Sequence, residues 1–150
     1  MKLRKAITYI ESANILSLFI AFTLAVSGKP AFRIASVFCT VGILFCFMAA
    51  LAVKTAEKDP CSEPWFTGIC VSLVPVASWI LLCISRKHFP GYFVVHKLLN
   101  ACFIQIYNLI TPSLSSEQLT AGQLAVMGLL SLVPGIMYIS AYFFVSRSRK

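Results

Sequence analysis

The side chains able to do chemistry gather in one stretch, where His96, Lys97, Asn100, Gln105 and Asn108 interrupt an otherwise apolar run, 92–110. Placed on one helix at about 100° per residue, His96, Tyr107, Asn100, Lys97, Asn108 and Gln105 cover one half of the surface. Leu98, Leu109, Cys102, Val95, Ile106, Leu99 and Ile110 cover the other half. Carboxamides are not placed against lipid, so the polar half must face protein or water. Two chemistries fit. One is a polar path or ligand site lined by Asn100, Gln105 and Asn108. The other is hydrogen bonding between helices, with His96 and Lys97 reaching to the headgroups.

Pro75 and Pro134 fall near the middle of two further apolar runs. A proline there removes one backbone donor and frees a carbonyl one turn back, which kinks a helix. Such a kink either improves packing or opens carbonyls to a solute at mid-membrane. Cys61 and Cys70, nine positions apart in sequence, are a candidate disulfide in an oxidising compartment. Their spacing fits neither a zinc nor a thioredoxin-type motif. Cys39, Cys46, Cys83 and Cys102 lie within apolar runs, where thiols act as small hydrophobes. No phosphate-binding loop, dinucleotide fingerprint, catalytic triad or His-Glu-x-x-His pattern occurs. With two histidines in all, the residues call for no metal or other cofactor, and an enzyme is not expected.

These residues must be positioned by apolar elements. The chain has 150 residues, 59% apolar and 12% charged, against about 25% charged in soluble domains. That leaves too little polar surface to cover a soluble globule. Five runs, Ala6–Val26, Ile34–Val53, Phe66–Ser85, Tyr92–Ile110 and Ala125–Val145, are each about 20 residues long, enough to cross roughly 30 Å of hydrocarbon. The expected fold is therefore an all-α polytopic membrane bundle with four to five spans in a single domain. The basic start Met1–Lys5 is not followed by a signal-peptidase site, so the first run is read as part of the mature chain. The net charge of +8 comes from basic residues in twos and threes beside the apolar runs. That pattern marks topology and anionic headgroups, and it excludes nucleic acid as a partner.

Two stretches read as copies. Ser72-Leu73-Val74-Pro75 recurs 59 positions on as Ser131-Leu132-Val133-Pro134, and Pro30-Ala31-Phe32 resembles Pro90-Gly91-Tyr92 at an offset of 60. Both copies end in serine and basic residues, Ser85-Arg86-Lys87 and Ser146-Arg147-Ser148-Arg149-Lys150. The expected organisation is an extra segment, 6–26, then hairpins 30–87 and 90–150. If each hairpin holds two spans, the copies point the same way, which makes a parallel duplication. Positive charge then puts both basic endings, including the C-terminus, in the cytoplasm. An uninterrupted zigzag places the N-terminus outside.

Ser85-Arg86-Lys87-His88-Phe89-Pro90, with Tyr142-Phe143 and the closing Ser146-Arg147-Ser148-Arg149-Lys150, resembles a bacterial family of four-span inner-membrane proteins of unknown function. The resemblance covers about residues 66–150 and implies a bacterial inner membrane without implying an activity. The expected function is a non-enzymatic accessory, sensor or toxin-immunity protein. Its expected partners are the lipid bilayer and a membrane or cytoplasmic protein, or a second copy of the chain. The alternative is a small oligomeric channel or carrier using the polar half of 92–110.

Overall fold

Long runs of apolar residues favour helix, and the computed structural model, which describes residues 2–25, 30–58, 64–111 and 115–148, is all-α. Among the described residues six α-helices follow in order: α1 (Lys2–Ala25), α2 (Pro30–Lys58), α3 (Pro64–Ser85), α4 (Tyr92–Leu99), α5 (Ile104–Ile110) and α6 (Ala121–Ser148). Four of them, α1, α2, α3 and α6, are long and apolar enough to cross a membrane. They expose many large apolar side chains, among them Phe19 and Phe22 on α1, Phe38 and Phe45 on α2, Ile69 and Ile84 on α3, Leu129 and Phe144 on α6.

Local chemistry sets several helix ends. Pro30 and Pro64 occupy first helical positions, where a missing N–H costs nothing. Thr120 and Gln123 form a reciprocal capping box at the start of α6: the Gln123 N–H donates to Thr120 Oγ1 (3.3 Å) and the Thr120 N–H donates to Gln123 Oε1 (2.8 Å).

Side-chain contacts fix the directions. Along α3 and α6, Trp65 meets Phe143, Ser72 Oγ lies 3.0 Å from the Gly135 amide, and the Trp79 indole donates to the Leu124 carbonyl at 2.8 Å. Partner numbers fall as residue numbers rise, so α3 and α6 are antiparallel. Their crossing is close because it is made of small residues. A Cβ on Gly135 would sit 2.6 Å from the Gly68 carbonyl oxygen, and one on Gly128 would sit 2.7 Å from the Trp79 ring. At the other side of the bundle, Tyr9 of α1 packs on Phe47 of α2. These two residues lie at matching distances from the short connection between their helices, so α1 and α2 form an antiparallel hairpin. The five residues between α2 and α3 reach at most about 18 Å. A helix the length of α3 measures about 33 Å, so α2 must end where α3 begins. The start of α1, the end of α2, the start of α3 and the end of α6 therefore share one end of the bundle, here the terminal end.

Segment 92–110 is not a straight helix. It breaks after α4, and the axes of Tyr92–Leu99 and Ala101–Ile110 differ by 94°. The amide of Ser116 donates to the Pro90 carbonyl at 3.1 Å, so the segment leaves the bundle beside the point where it entered. It is a re-entrant hairpin at the end opposite the termini. It packs against α1, α2 and α3.

This geometry corrects the expected parallel duplication. The even-span argument required 92–110 to cross, and it turns back instead. With no crossing between α3 and α6, those helices run oppositely. The two basic endings, at Arg86 and at Arg147, consequently lie at opposite ends of the bundle. The start of α1 and the end of α6 lie at the same end, where opposite sides were expected.

Candidate functional site

The hairpin's break begins at Asn100. Its backbone N–H and its side-chain Nδ2 both donate to the His96 carbonyl, at 3.1 and 3.0 Å. An asparagine that bonds its own preceding turn competes with the helical ladder, and here the backbone leaves the helical region at φ −121°, ψ 42°. A single turn of tighter helix, Ala101–Phe103, follows before α5 starts in its new direction.

The groups released by the break are taken up from α1. Asn14 Nδ2 donates to the Leu99 carbonyl at 2.8 Å, and Asn14 Oδ1 accepts from the Cys102 N–H at 3.3 Å. One buried carboxamide thus replaces part of the missing ladder. Ser17, one turn along, lies 3.2 Å from Cys102 Sγ.

Around the break the polar half gathers into a core. His96, Asn100 and Tyr107 are 0%, 2% and 0% exposed, and Lys97 and Gln105 are also buried. His96 Nδ1 lies 2.9 Å from Ser78 Oγ on α3 and 3.4 Å from Asn100 Nδ2. The His96 and Tyr107 rings are 5.4 Å apart between centroids. Lys97 lies over the Phe93 ring and donates from Nζ to Asn108 Oδ1 at 3.0 Å. Asn108 itself is exposed. His96 and Lys97 therefore do not reach to the surface, as one of the two sequence readings had it. The bend folds them inward.

Three atoms in this core have no hydrogen-bond partner: His96 Nε2, Asn100 Oδ1 and the Tyr107 hydroxyl. That hydroxyl lies towards Ser131 on α6, which donates its own proton to the Met127 carbonyl at 3.0 Å. The unpartnered hydroxyls of Tyr138 on α6 and Thr67 on α3 lie nearer the terminal end. Buried polar atoms are rarely left unmatched, because each costs about 1–3 kcal/mol.

The base of the hairpin is closed by Arg86. Its guanidinium donates to the carbonyls of Ser116 (3.2 Å) and Glu117 (3.4 Å) and to that of Leu119. In return Ser116 Oγ donates to the Arg86 carbonyl at 3.0 Å. On the α6 side, Gln123 Nε2 donates to the Ile110 carbonyl at 3.0 Å.

Of the other sequence candidates, Pro75 and Pro134 are buried inside α3 and α6, both of which continue through them. Ser72 and Gly135, beside these prolines, make the contact between the two helices. Cys70 is a buried free thiol, and Cys61 lies outside the described residues. Among the described residues, no three His, Cys, Asp or Glu side chains converge as a metal site. Asn14, Ser17, Ser78 and Arg86 belong to the site, although the sequence did not single them out as site residues. Asn14 and Ser17 are three positions apart on α1, a spacing that puts them on one face. Compared with protein-family models, curated proteins and solved structures, the chain matches none.

Proposed function

We propose that the chain is a non-enzymatic integral membrane protein of the carrier or channel type, with the re-entrant hairpin of α4 and α5 as its working element. The observation that supports this reading is the 94° break in the bundle centre, beside three unpartnered polar atoms. Non-helical backbone at membrane depth is tolerated where protein buries it or where it lines a polar cavity, and broken helices mark solute sites in transporters. An unbroken helix would have served packing alone, without the unmatched groups.

A bacterial inner membrane is the proposed setting. In the proposed topology the terminal end faces the cytoplasm. Arg4, Lys5, Lys54 and Arg147 lie there, and Lys2, Lys58, Arg149 and Lys150 adjoin them in sequence. The other end has Arg33, Arg86 and Lys87, with Lys29 adjoining in sequence. The heavier basic side faces inward.

Reconstitution into liposomes tests the function. Vesicles containing the protein should admit small polar solutes faster than protein-free vesicles, and Asn100→Leu should return the rate to background. Equal rates with and without protein, over water, small neutral solutes and monovalent ions, would end the reading.

A second reading is an accessory, sensor or immunity protein. The complete burial of His96 and Tyr107 favours it, because neither side chain is open to solvent. In that case the polar core is static, and one protein partner should co-purify at equal stoichiometry from native membranes while no flux is measured.

A further inference from the structure

Of the five acidic residues, Glu57, Asp59, Glu63 and Glu117 fall at the end of α2 or between helices, and Glu11 alone lies deep within a span. It stands about 12 Å along the span Leu3–Leu24, too far in for its short side chain to reach back to the headgroups. On α1 it is about 60° round from Asn14 and about 160° from Tyr9. Asn14 binds the break and Tyr9 packs on α2, so Glu11 is on the hairpin side. It is half-buried there, and Cys102, at the break, lies within its electrostatic reach.

Among the described residues no counter-charge meets it. Arg4, two turns earlier on the same helix face, is exposed and forms no ion pair with it. On α3, which packs against α1, the titratable groups are the thiols Cys70 and Cys83. The hairpin brings Tyr92, His96, Lys97, Cys102 and Tyr107, with Lys97 turned to Asn108. On α2, Lys54 sits over the Tyr9 ring, on the far side of α1. A carboxylate at hydrocarbon depth without a counter-charge is costly, and ionisable groups so placed mark ion or proton paths. A metal ion would need several oxygens, yet both ends of the neighbouring Asn14 carboxamide are taken, and no metal-binding cluster occurs among the described residues. A proton needs one carboxyl oxygen.

From this placement we propose that Glu11 binds and exchanges a proton at membrane depth, which makes the carrier proton-coupled. The carboxylate takes up one proton to become the acid and returns to the carboxylate when the proton leaves, with no other bond changed. The coupling rests on reading the hairpin as a solute site; the proton site does not.

The probe is dicyclohexylcarbodiimide, which partitions into lipid and reacts with the acid form of a carboxyl. The carboxyl oxygen bonds to the carbodiimide carbon and the acid proton passes to nitrogen. An oxygen-to-nitrogen acyl shift then leaves a stable N-acylurea. With the full chain in native membranes, mass spectrometry should find this adduct on Glu11, formed more slowly as the pH is raised. A water-soluble carbodiimide should instead favour Glu57 and Glu117, which are exposed. No adduct on Glu11, a rate that ignores pH, or protection by sodium at fixed pH would overturn the proton site. Coupling is read in liposomes, where an imposed pH gradient should accelerate solute uptake. Glu11→Gln, close in shape to the acid, should lose that response, and Glu11→Asp should keep it. Wild-type uptake that ignores the gradient would overturn the coupling. An adduct without any flux would defeat the carrier reading and keep the proton site. Flux without an adduct would do the reverse.

Discussion

Asn14 shows how one side chain can decide whether a broken helix is tolerable. Both ends of its carboxamide bind backbone groups on either side of the break, at Leu99 and Cys102. Asn14→Leu removes both bonds and leaves a carbonyl and an amide buried without partners. We expect a loss of about 2–4 kcal/mol in unfolding free energy, at about 1–2 kcal/mol per orphaned group, read by denaturant titration in mixed micelles. Thr8→Val on the same helix should change little, because that hydroxyl is exposed and bonds only the Arg4 carbonyl of its own helix. A similar loss in both variants would mean that Asn14 acts through packing and not through the break. The polar residues of α1 look scattered in sequence because they serve different ends. Thr8 and Thr23 satisfy themselves on their own backbone, while Asn14 and Ser17 turn inward to the hairpin.

At the scale of elements, the re-entrant hairpin is held at its base by the bonds from Arg86 to three carbonyls of 116–119. Arg86→Met keeps the aliphatic stem and removes the donors. The amides of Ser116 and Leu119 should then exchange with deuterium about tenfold faster, the factor that corresponds to roughly 1.4 kcal/mol. Unchanged exchange would mean that the capping box at Thr120 holds the base alone. The α3–α6 crossing gives a second prediction. Gly135→Leu should destabilise by about 1–3 kcal/mol through overpacking against Gly68 and Ser72. Gly42→Leu, on an open face of α2, should not, and thermal unfolding compares the two. Four long apolar helices were legible from run length, and periodicity put His96, Lys97, Asn100, Gln105 and Tyr107 on the half that is buried; Asn108, expected inside with them, is exposed. The break was not legible. Segment 92–110 contains no proline, and Asn100 acts through a local bond to His96 that composition does not reveal. Gly68-x-x-x-Ser72 and Ser131-x-x-x-Gly135 carried the helix crossing in plain view, but the Ser-Leu-Val-Pro match drew them into a repeat instead.

For the whole molecule, that one break reverses the expected topology of everything after α3. If 92–110 crossed, Arg86 and Arg147 would lie at the same end. Because Ser116 returns to Pro90 and Arg86, α6 starts where α3 stops and runs back beside it. The two basic endings then lie on opposite sides, and the charge count must choose between them. The terminal end combines the basic residues of the α1 start, the α2 end and the α6 end, so it outweighs Arg33, Arg86 and Lys87. Single cysteines at Ser148 and Lys87, in a background without the native cysteines, separate geometry from orientation. In intact cells a membrane-impermeant maleimide should label Lys87→Cys and spare Ser148→Cys until the membrane is opened. The opposite pattern would keep the fold and invert the protein, showing that Arg33, Arg86 and Lys87 outweigh the terminal end. Labelling of both positions from one side would mean that 92–110 crosses after all, and the hairpin site built on its return would go with it.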